Sequence, residues 1–338
     1  MNKLLLPILL LLSLPLVFQS TPTEILKLKI FDSFVQIPEP SPYFTILNIT
    51  EEDIEREGGY PLPRKRLSEI QVELINAGAI GVGWVISFPQ ADRMGGDEVF
   101  AQTLNYIPSV LATFENSNNI FPETTGTVIL GDDIGGYYSK GVVKNIDILT
   151  KGKFVFEGVS SAPTDIDKLV RRLPLLMRTP DGWIPSFGTQ VLKTLVDAET
   201  YIIKTNVNGI EEIRVKGLPA VPVDSLGRKW ISWVDTPQTD LKKMNVQGKF
   251  VFIGITAAGV MPQVATPVGL LEPHKIQAAL SESILIEKSP YIPDYSLSVE
   301  IVSLVLSVSL IWGIINYFSI TWGVLFSLLI LSFTGLLG

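Results

Sequence analysis

The distribution of charge along the chain constrains its fold more than any other feature. No Asp, Glu, Lys or Arg occurs from residue 301 to residue 338, and the first 20 residues hold only Lys3. Residues 21–298 carry the mixed polar and apolar composition of a water-facing domain, and the formal charge of −7 resides there. A polar body bounded by two uncharged apolar ends reads as an exported domain tied to a lipid bilayer.

The amino-terminal apolar run covers residues 4–18 and follows the basic leader Lys3. It is shorter than the roughly 20 residues a straight helix needs to cross the hydrocarbon core, so a signal peptide and a signal anchor both remain open. Val17, Phe18 and Gln19 do not form a small-x-small cleavage site, which favours an uncleaved anchor kinked at Pro7 and Pro15. At the other end, residues 297–315 and 318–338 are two apolar stretches parted by Asn316 and Tyr317. They read as a transmembrane hairpin, since a buried pair of soluble helices would need polar positions at helical spacing. With the amino terminus inside, the body lies outside and the third span ends outside. The reading therefore expects a further span and a cytoplasmic part past Gly338.

Composition removes several functions. The chain has no cysteine, which excludes disulfides, thiolate zinc sites and a cysteine nucleophile, and its single histidine excludes a multi-histidine metal centre. A pI near 5.0 argues against nucleic-acid binding. No cofactor motif is present. Gly78, Gly81 and Gly83 have the wrong spacing for a dinucleotide loop, and Asp132 and Asp133 read as a solvated turn, not a calcium loop.

The body begins as a βαβ unit. Phe44–Ile49 is a short apolar strand, Pro63 suits a helix start, and Leu67, Ile70, Leu74 and Ile75 recur at helical spacing before Gly78. Ala79–Phe88 is almost continuously apolar, as in a strand covered on both faces of a parallel sheet. The fold class expected is α/β, with a mostly parallel central sheet flanked by helices, a β-rich insertion over residues 200–235, and transmembrane helices at both ends. The domain boundaries expected are 1–20 for the anchor, 21–295 for the body and 296–338 for the hairpin. Residues 115–142, rich in Asn and Gly, read as a mobile loop over the sheet.

One segment recurs. GKFVFEGVSSA from Gly152 returns as GKFVFIGITAA from Gly248, identical at seven of eleven positions. The repeat predicts two equivalent central strands, each ending at a glycine bend. On that reading Ser160, Ser161, Thr256 and Ala257 line a crevice at the carboxyl ends of the strands, where open α/β sheets bind ligands.

Among the remaining polar residues, Arg64 after Pro61 and Pro63, and Arg171 with Arg172, are candidates to grip a carboxylate or phosphate; the alternative is ion pairing with Asp97, Asp165 or Asp167. Thr266 and Pro267 are placed in a loop. His274 is read as a catalytically silent surface-loop residue, because no Gly-x-Ser-x-Gly nucleophile turn accompanies it.

KIFDSF at 29–34, GGYPLPR at 58–64, Asp97 before an apolar helix, VRRLPLLMR at 170–178 and VFIGITAAGVMPQVATPVG at 251–269 together resemble the CHASE2 domain, a sensory module of bacterial receptors. The resemblance covers roughly residues 28–290. It implies an extracytoplasmic receptor domain, with one span before and typically three after, working as a homodimer on a cytoplasmic cyclase or kinase. The chain departs from the family pattern at Tyr60 and Leu62, where tryptophans are usual, at Pro262 or Gln263, where an aspartate is usual, and at Gln277, where a histidine is usual. The expected function is a membrane-anchored, non-enzymatic sensor in the cell inner membrane with its main domain periplasmic or extracellular. Its expected partners are the lipid bilayer, a second copy of itself and a small-molecule or protein ligand. The other readings are an exported binding or assembly protein without signalling output, and an exported hydrolase.

Overall fold

Phe44–Ile49 forms strand β1, and the apolar run after Ala79 forms β2 (Gly81–Trp84). The computed structural model describes residues 20–35, 37–133, 135–286, 290–292 and 295–317. Strands β3 (Ser109–Glu115), β7 (Val155–Ser160), β15 (Gln238–Asp240) and β16 (Phe250–Ile255) complete a parallel ladder in the order β15-β1-β16-β2-β3-β7. A short strand β6 (Val142–Val143) joins antiparallel to the end of β3. Each β1 residue from Phe44 to Ile49 pairs with the residue at the same step of β16, from Phe250 to Ile255.

Strand side chains alternate between two cores, because successive residues of a strand point to opposite faces. Phe44, Ile46, Phe250 and Phe252 point to one core, whereas Leu47, Ile49, Val251 and Ile253 point to the other. Helices α2 (Glu51–Arg56), α3 (Arg64–Asn76), α4 (Asp97–Leu104) and α5 (Asp147–Thr150) lie on the second face. Helices α6 (Phe187–Leu195) and α7 (Pro273–Leu285) cover the first. The helix starts follow local chemistry: Thr50 and Asp53 form a reciprocal capping box at α2, and Pro63 precedes α3. Between α3 and the sheet, Gln71 accepts from Trp84 Nε1 at 2.9 Å and donates to Ser109 Oγ at 3.1 Å, which satisfies its buried amide.

The smaller sheets gather beside this three-layer body. β4 (Gly126–Leu130), β11 (Thr200–Asn206), β12 (Gly209–Val215) and β13 (Val221–Pro222) make one; β5 (Tyr137–Tyr138), β9 (Leu176–Thr179) and β10 (Gly182–Pro185) make another. β8 (Arg172–Pro174) pairs with β14 (Arg228–Trp230), and β17 (Val264–Thr266) with β18 (Gly269–Leu271). The β-rich stretch expected at 200–235 is therefore β11 to β14. The stretch expected as loop at 115–142 is mostly without regular structure among the described residues, but it contains β4, which pairs in parallel with β11, a strand the chain supplies only from residue 200.

The repeat also takes a different form from the one expected. β16 is fully buried between β1 and β2, while β7 is the last strand of the parallel ladder. Neither glycine makes a bend. A Cβ on Gly158 would lie 2.6 Å from Phe187 Cα, and one on Gly254 would lie 2.0 Å from His274 Nδ1. Both glycines let the first turn of a covering helix press onto the strand, α6 on β7 and α7 on β16.

Contacts divide the chain into a unit from Ile37 to Tyr291 and a second from both ends, up to Gln36 and from Ile292. In the terminal unit α1 (Thr21–Phe34) and α8 (Ser296–Tyr317) are joined by Lys27 and Glu300, 2.6 Å apart. Apolar side chains of α8, including Leu297, Val302, Leu306 and Leu310, are exposed. Among the described residues no helix is long and apolar enough to cross a membrane. The runs at 4–18 and 318–338 lie outside the described residues.

Candidate functional site

The carboxyl ends of the central strands open into two adjoining pockets that share Ser87, just past β2. The larger, about 520 Å³, lies at the ends of β1, β16 and β2 and is walled by Ile49, Ile255 and Ile86. The smaller, about 350 Å³, lies at the ends of β3 and β7 and includes Phe114, Ser160, Ser161 and Gln277.

Arg64 dominates the larger pocket. As the first residue of α3 its backbone N–H donates to Asp92 Oδ2 at 2.8 Å. Its guanidinium stacks over the Phe88 ring, with Cζ 4.4 Å from the centroid. Its Nη2 donates to the Gln90 carbonyl at 3.5 Å, and Nε stands 3.5 Å from Asp97 Oδ1. That last approach is an ion pair without a hydrogen bond: Arg64 Nε and Asp97 Oδ1 are both buried and have no hydrogen-bond partner. Burial pushes the Arg64 guanidinium down from its ordinary value, against the opposing pull of Asp97 and Asp92. Arginine keeps its charge through such a shift. Burial pushes the Tyr60 phenol up, so it stays a protonated donor at the pocket wall.

The floor under Arg64 is fixed by Asn145, which is buried after β6. Its Oδ1 accepts from the Phe88 N–H at 2.6 Å, and its Nδ2 donates to the Ala112 carbonyl of β3 and to Glu157 Oε1 of β7. Phe88 is thereby held in place at the end of β2. Asp92 is held as well, since its N–H donates to Asp97 Oδ2 at 2.8 Å and its Oδ1 accepts from Met94 N–H at 3.1 Å.

The smaller pocket has a carboxylate at its edge. Ser161 Oγ donates to Glu115 Oε2, and the Tyr137 hydroxyl donates to the same oxygen at 3.4 Å. Burial raises the Glu115 carboxyl above the usual carboxylate range. Gln277, wholly buried on α7, accepts from the Gly188 N–H at 3.1 Å and donates to the Ser161 carbonyl at 3.3 Å. Its amide is thus engaged by two backbone groups at the pocket wall.

The family model for the CHASE2 domain matches residues 7–315. The chain belongs to the CHASE2 family. No curated protein and no solved structure matches it. CHASE2 is a sensory domain without catalysis of its own, and it covers nearly the whole chain, so this chain is a sensory domain and not an enzyme.

Within this CHASE2 domain the expected site residues separate into distinct places. Pro61 and Arg64 line the larger pocket, Pro63 caps the helix that carries Arg64, and Asp97 stands behind Arg64. Ser160 lines the smaller pocket. Thr256, one residue past β16, donates its N–H to the Ile49 carbonyl at 2.9 Å and bridges the ends of β16 and β1. Thr266 closes the β17–β18 turn by donating to the Gly269 carbonyl at 2.7 Å, and Pro267 occupies that turn.

Arg171 and Arg172 lie elsewhere, in an ion-pair cluster. Arg171 meets Asp167 through two nitrogens at 2.7 and 2.8 Å and Asp165 at 3.3 Å, and Arg172 reaches Asp165 and Asp224. Asp133 likewise pairs with Arg178. Among the described residues no group of acidic or imidazole side chains is arranged to hold a metal.

His274 departs from the expectation of a surface loop. It is buried in the first turn of α7, over Gly254, and 2.9 Å from Asn48 Oδ1 through Nε2. Since that oxygen accepts, we assign the proton to Nε2. Burial pushes the imidazole down to about 3, so it is neutral and structural. The sequence reading also missed Ser87, Phe88 and Asn145. The turn Phe88-Pro89 at the end of an apolar run was the signal that a strand stops there and presents side chains to a crevice.

Proposed function

We propose that this CHASE2 domain is displayed on the outer face of the cell inner membrane, tethered through apolar segments on both sides. There it acts as a homodimeric receptor domain for a cytoplasmic cyclase or kinase output supplied outside residues 1–338. The observation that carries this reading is the extent of the family match, which takes in the body and reaches into both flanking segments. The absence of charge over residues 301–338 and the outward apolar side chains of α8 support it. A ligand seated at the carboxyl ends of the strands would stabilise one arrangement of the body over another, and only such differential affinity shifts a conformational equilibrium.

Topology is the decisive experiment. A membrane-impermeant amine reagent applied to intact spheroplasts is expected to label exposed lysines of the body, such as Lys242. Labelling that occurs only after lysis overturns the reading.

A further inference from the structure

The larger pocket holds a cation that the protein itself uses poorly. A guanidinium offers five N–H donors in a planar fork. Arg64 spends one of them, on the Gln90 carbonyl at 3.5 Å, although its side chain is only 12% exposed. Its nearest acid, Asp97, is 3.5 Å from Nε but accepts no hydrogen bond from it. Buried donors of a charged group are normally satisfied, and leaving them unmade is costly. The Phe88 face and the hold of Asp92 on the Arg64 backbone N–H keep the guanidinium in place regardless, as a fork awaiting an acceptor.

The remaining lining sets what that acceptor is attached to. Two guanidiniums, Arg64 and Arg93, and one carboxylate, Asp92, line the pocket, and Asp97 pairs with Arg64 from behind at 3.5 Å, so the site carries no large excess of either sign and suits a ligand with at most one negative charge. Asp92 is already occupied by the backbone N–H groups of Arg64 and Met94. The inner walls are apolar: Leu62, Ile86, Phe88 and Ile255 are nearly or wholly inaccessible. Tyr60, Ser87 and Gln90 add neutral polar groups among them. A volume of about 520 Å³ falls within the range of sites for small organic ligands. A doubly charged phosphate would want more donors and fewer apolar walls than this pocket supplies.

We propose that the pocket at the ends of β1, β16 and β2 binds a small organic monocarboxylate, with its carboxylate held in the fork of Arg64 and its apolar body against Leu62, Ile86 and Ile255. This rests on the sensor reading for its purpose, while the binding itself is a property of the body alone. The carboxylate takes the donors that Asp97 leaves free, as planar guanidinium and carboxylate groups match one another bidentately.

The test uses the full chain in lipid nanodiscs and a fixed panel of probes: butyrate, hexanoate, benzoate and phenylacetate, the corresponding amides, and inorganic phosphate. Saturation-transfer NMR and isothermal titration report binding. At least one carboxylate is expected to bind, with its amide and phosphate weaker by an order of magnitude. Arg64→Gln is expected to weaken that carboxylate on the order of tenfold or more, and Arg64→Lys by less. Ala91→Trp, at an exposed position of the mouth, is expected to block binding without touching the core. It serves as the decisive variant should Arg64→Gln not fold. Ser160→Ala, in the adjoining pocket, is expected to leave binding unchanged. Absence of binding by every carboxylate, equal binding of the amides or of phosphate, or indifference to both Arg64→Gln and Ala91→Trp overturns the proposal. Those results leave the labelling of intact spheroplasts unaffected, so failure of the ligand assignment and failure of the receptor reading are told apart.

Discussion

Gly254→Ala is the sharpest test of how α7 is seated on the sheet. The added Cβ would lie 2.0 Å from His274 Nδ1, 2.1 Å from Cγ and 2.7 Å from its Cβ, where carbon atoms in contact ordinarily stand about 3.5 Å apart or more. The strand cannot retreat, since β16 is buried along its whole length and hydrogen-bonded to β1 on one side and β2 on the other. Either α7 lifts or the imidazole leaves its site and gives up its 2.9 Å contact with Asn48. Overpacking of this kind costs about 1–3 kcal/mol and a lost hydrogen bond about 1 kcal/mol, so the variant is expected to lose about 3 kcal/mol. Denaturant unfolding of the full chain followed by tryptophan emission measures it. His274→Ala in the same background removes the ring but not the Cβ contact, and is expected to recover about 1–2 kcal/mol as a coupling energy. Gly158→Ala provides the contrast: its Cβ meets Phe187 backbone at 2.6 Å, so Phe187→Ala is expected to recover nothing. A Gly254→Ala protein within about 0.5 kcal/mol of the parent, or a penalty indifferent to His274→Ala, refutes the seating described.

Two further outcomes follow from buried charge. The imidazole of His274 is pushed down to about 3, from an ordinary value near 6.5. Below about pH 6.5 the unfolded chain takes up a proton that the folded one refuses, so this contribution to stability is complete above that pH and declines by about 1.4 kcal/mol per unit beneath it. Between pH 7.5 and pH 5 the parent is expected to lose about 2 kcal/mol more than His274→Gln, and equal losses in the two proteins exclude the assignment. Arg171 is 1% exposed and bridges Asp165 and Asp167, so Arg171→Met strands a buried carboxylate and is expected to cost about 3 kcal/mol by denaturant unfolding. A loss below about 1 kcal/mol would show that the cluster is solvated.

The parts of the fold legible in sequence are those whose signal is local. β1 begins and ends where its apolar run does, and α3 follows Pro63 and stops just before Gly78. The buried run Ala79–Phe88 was visible, but only Gly81–Trp84 is strand, and Ile86, Ser87 and Phe88 at its end line the pocket. Elements whose partners are remote were not legible. β4 alternates in burial like a half-covered strand, yet its neighbour β11 lies some seventy residues on, and nothing near residue 126 announces it. The repeat was visible as two strands, but its glycines serve helix contact instead of bending, a role that depends on Phe187 and His274 being brought over them. At the candidate site Arg64 and Asp97 were identified, whereas Asn145, which fixes Phe88, has no pattern around it that marks a buried amide.

The place of β16 in the sheet has a consequence for how the body is assembled. This strand, among the last the chain supplies, sits between β1 and β2, which are separated from it by well over a hundred residues. Until residues 250–255 arrive, the first βαβ unit has an open slot at its centre and no means of sealing either core. The parallel ladder therefore closes only with the delivery of residues 250–255, and the core on its first face is covered only when α7 follows at residues 273–285.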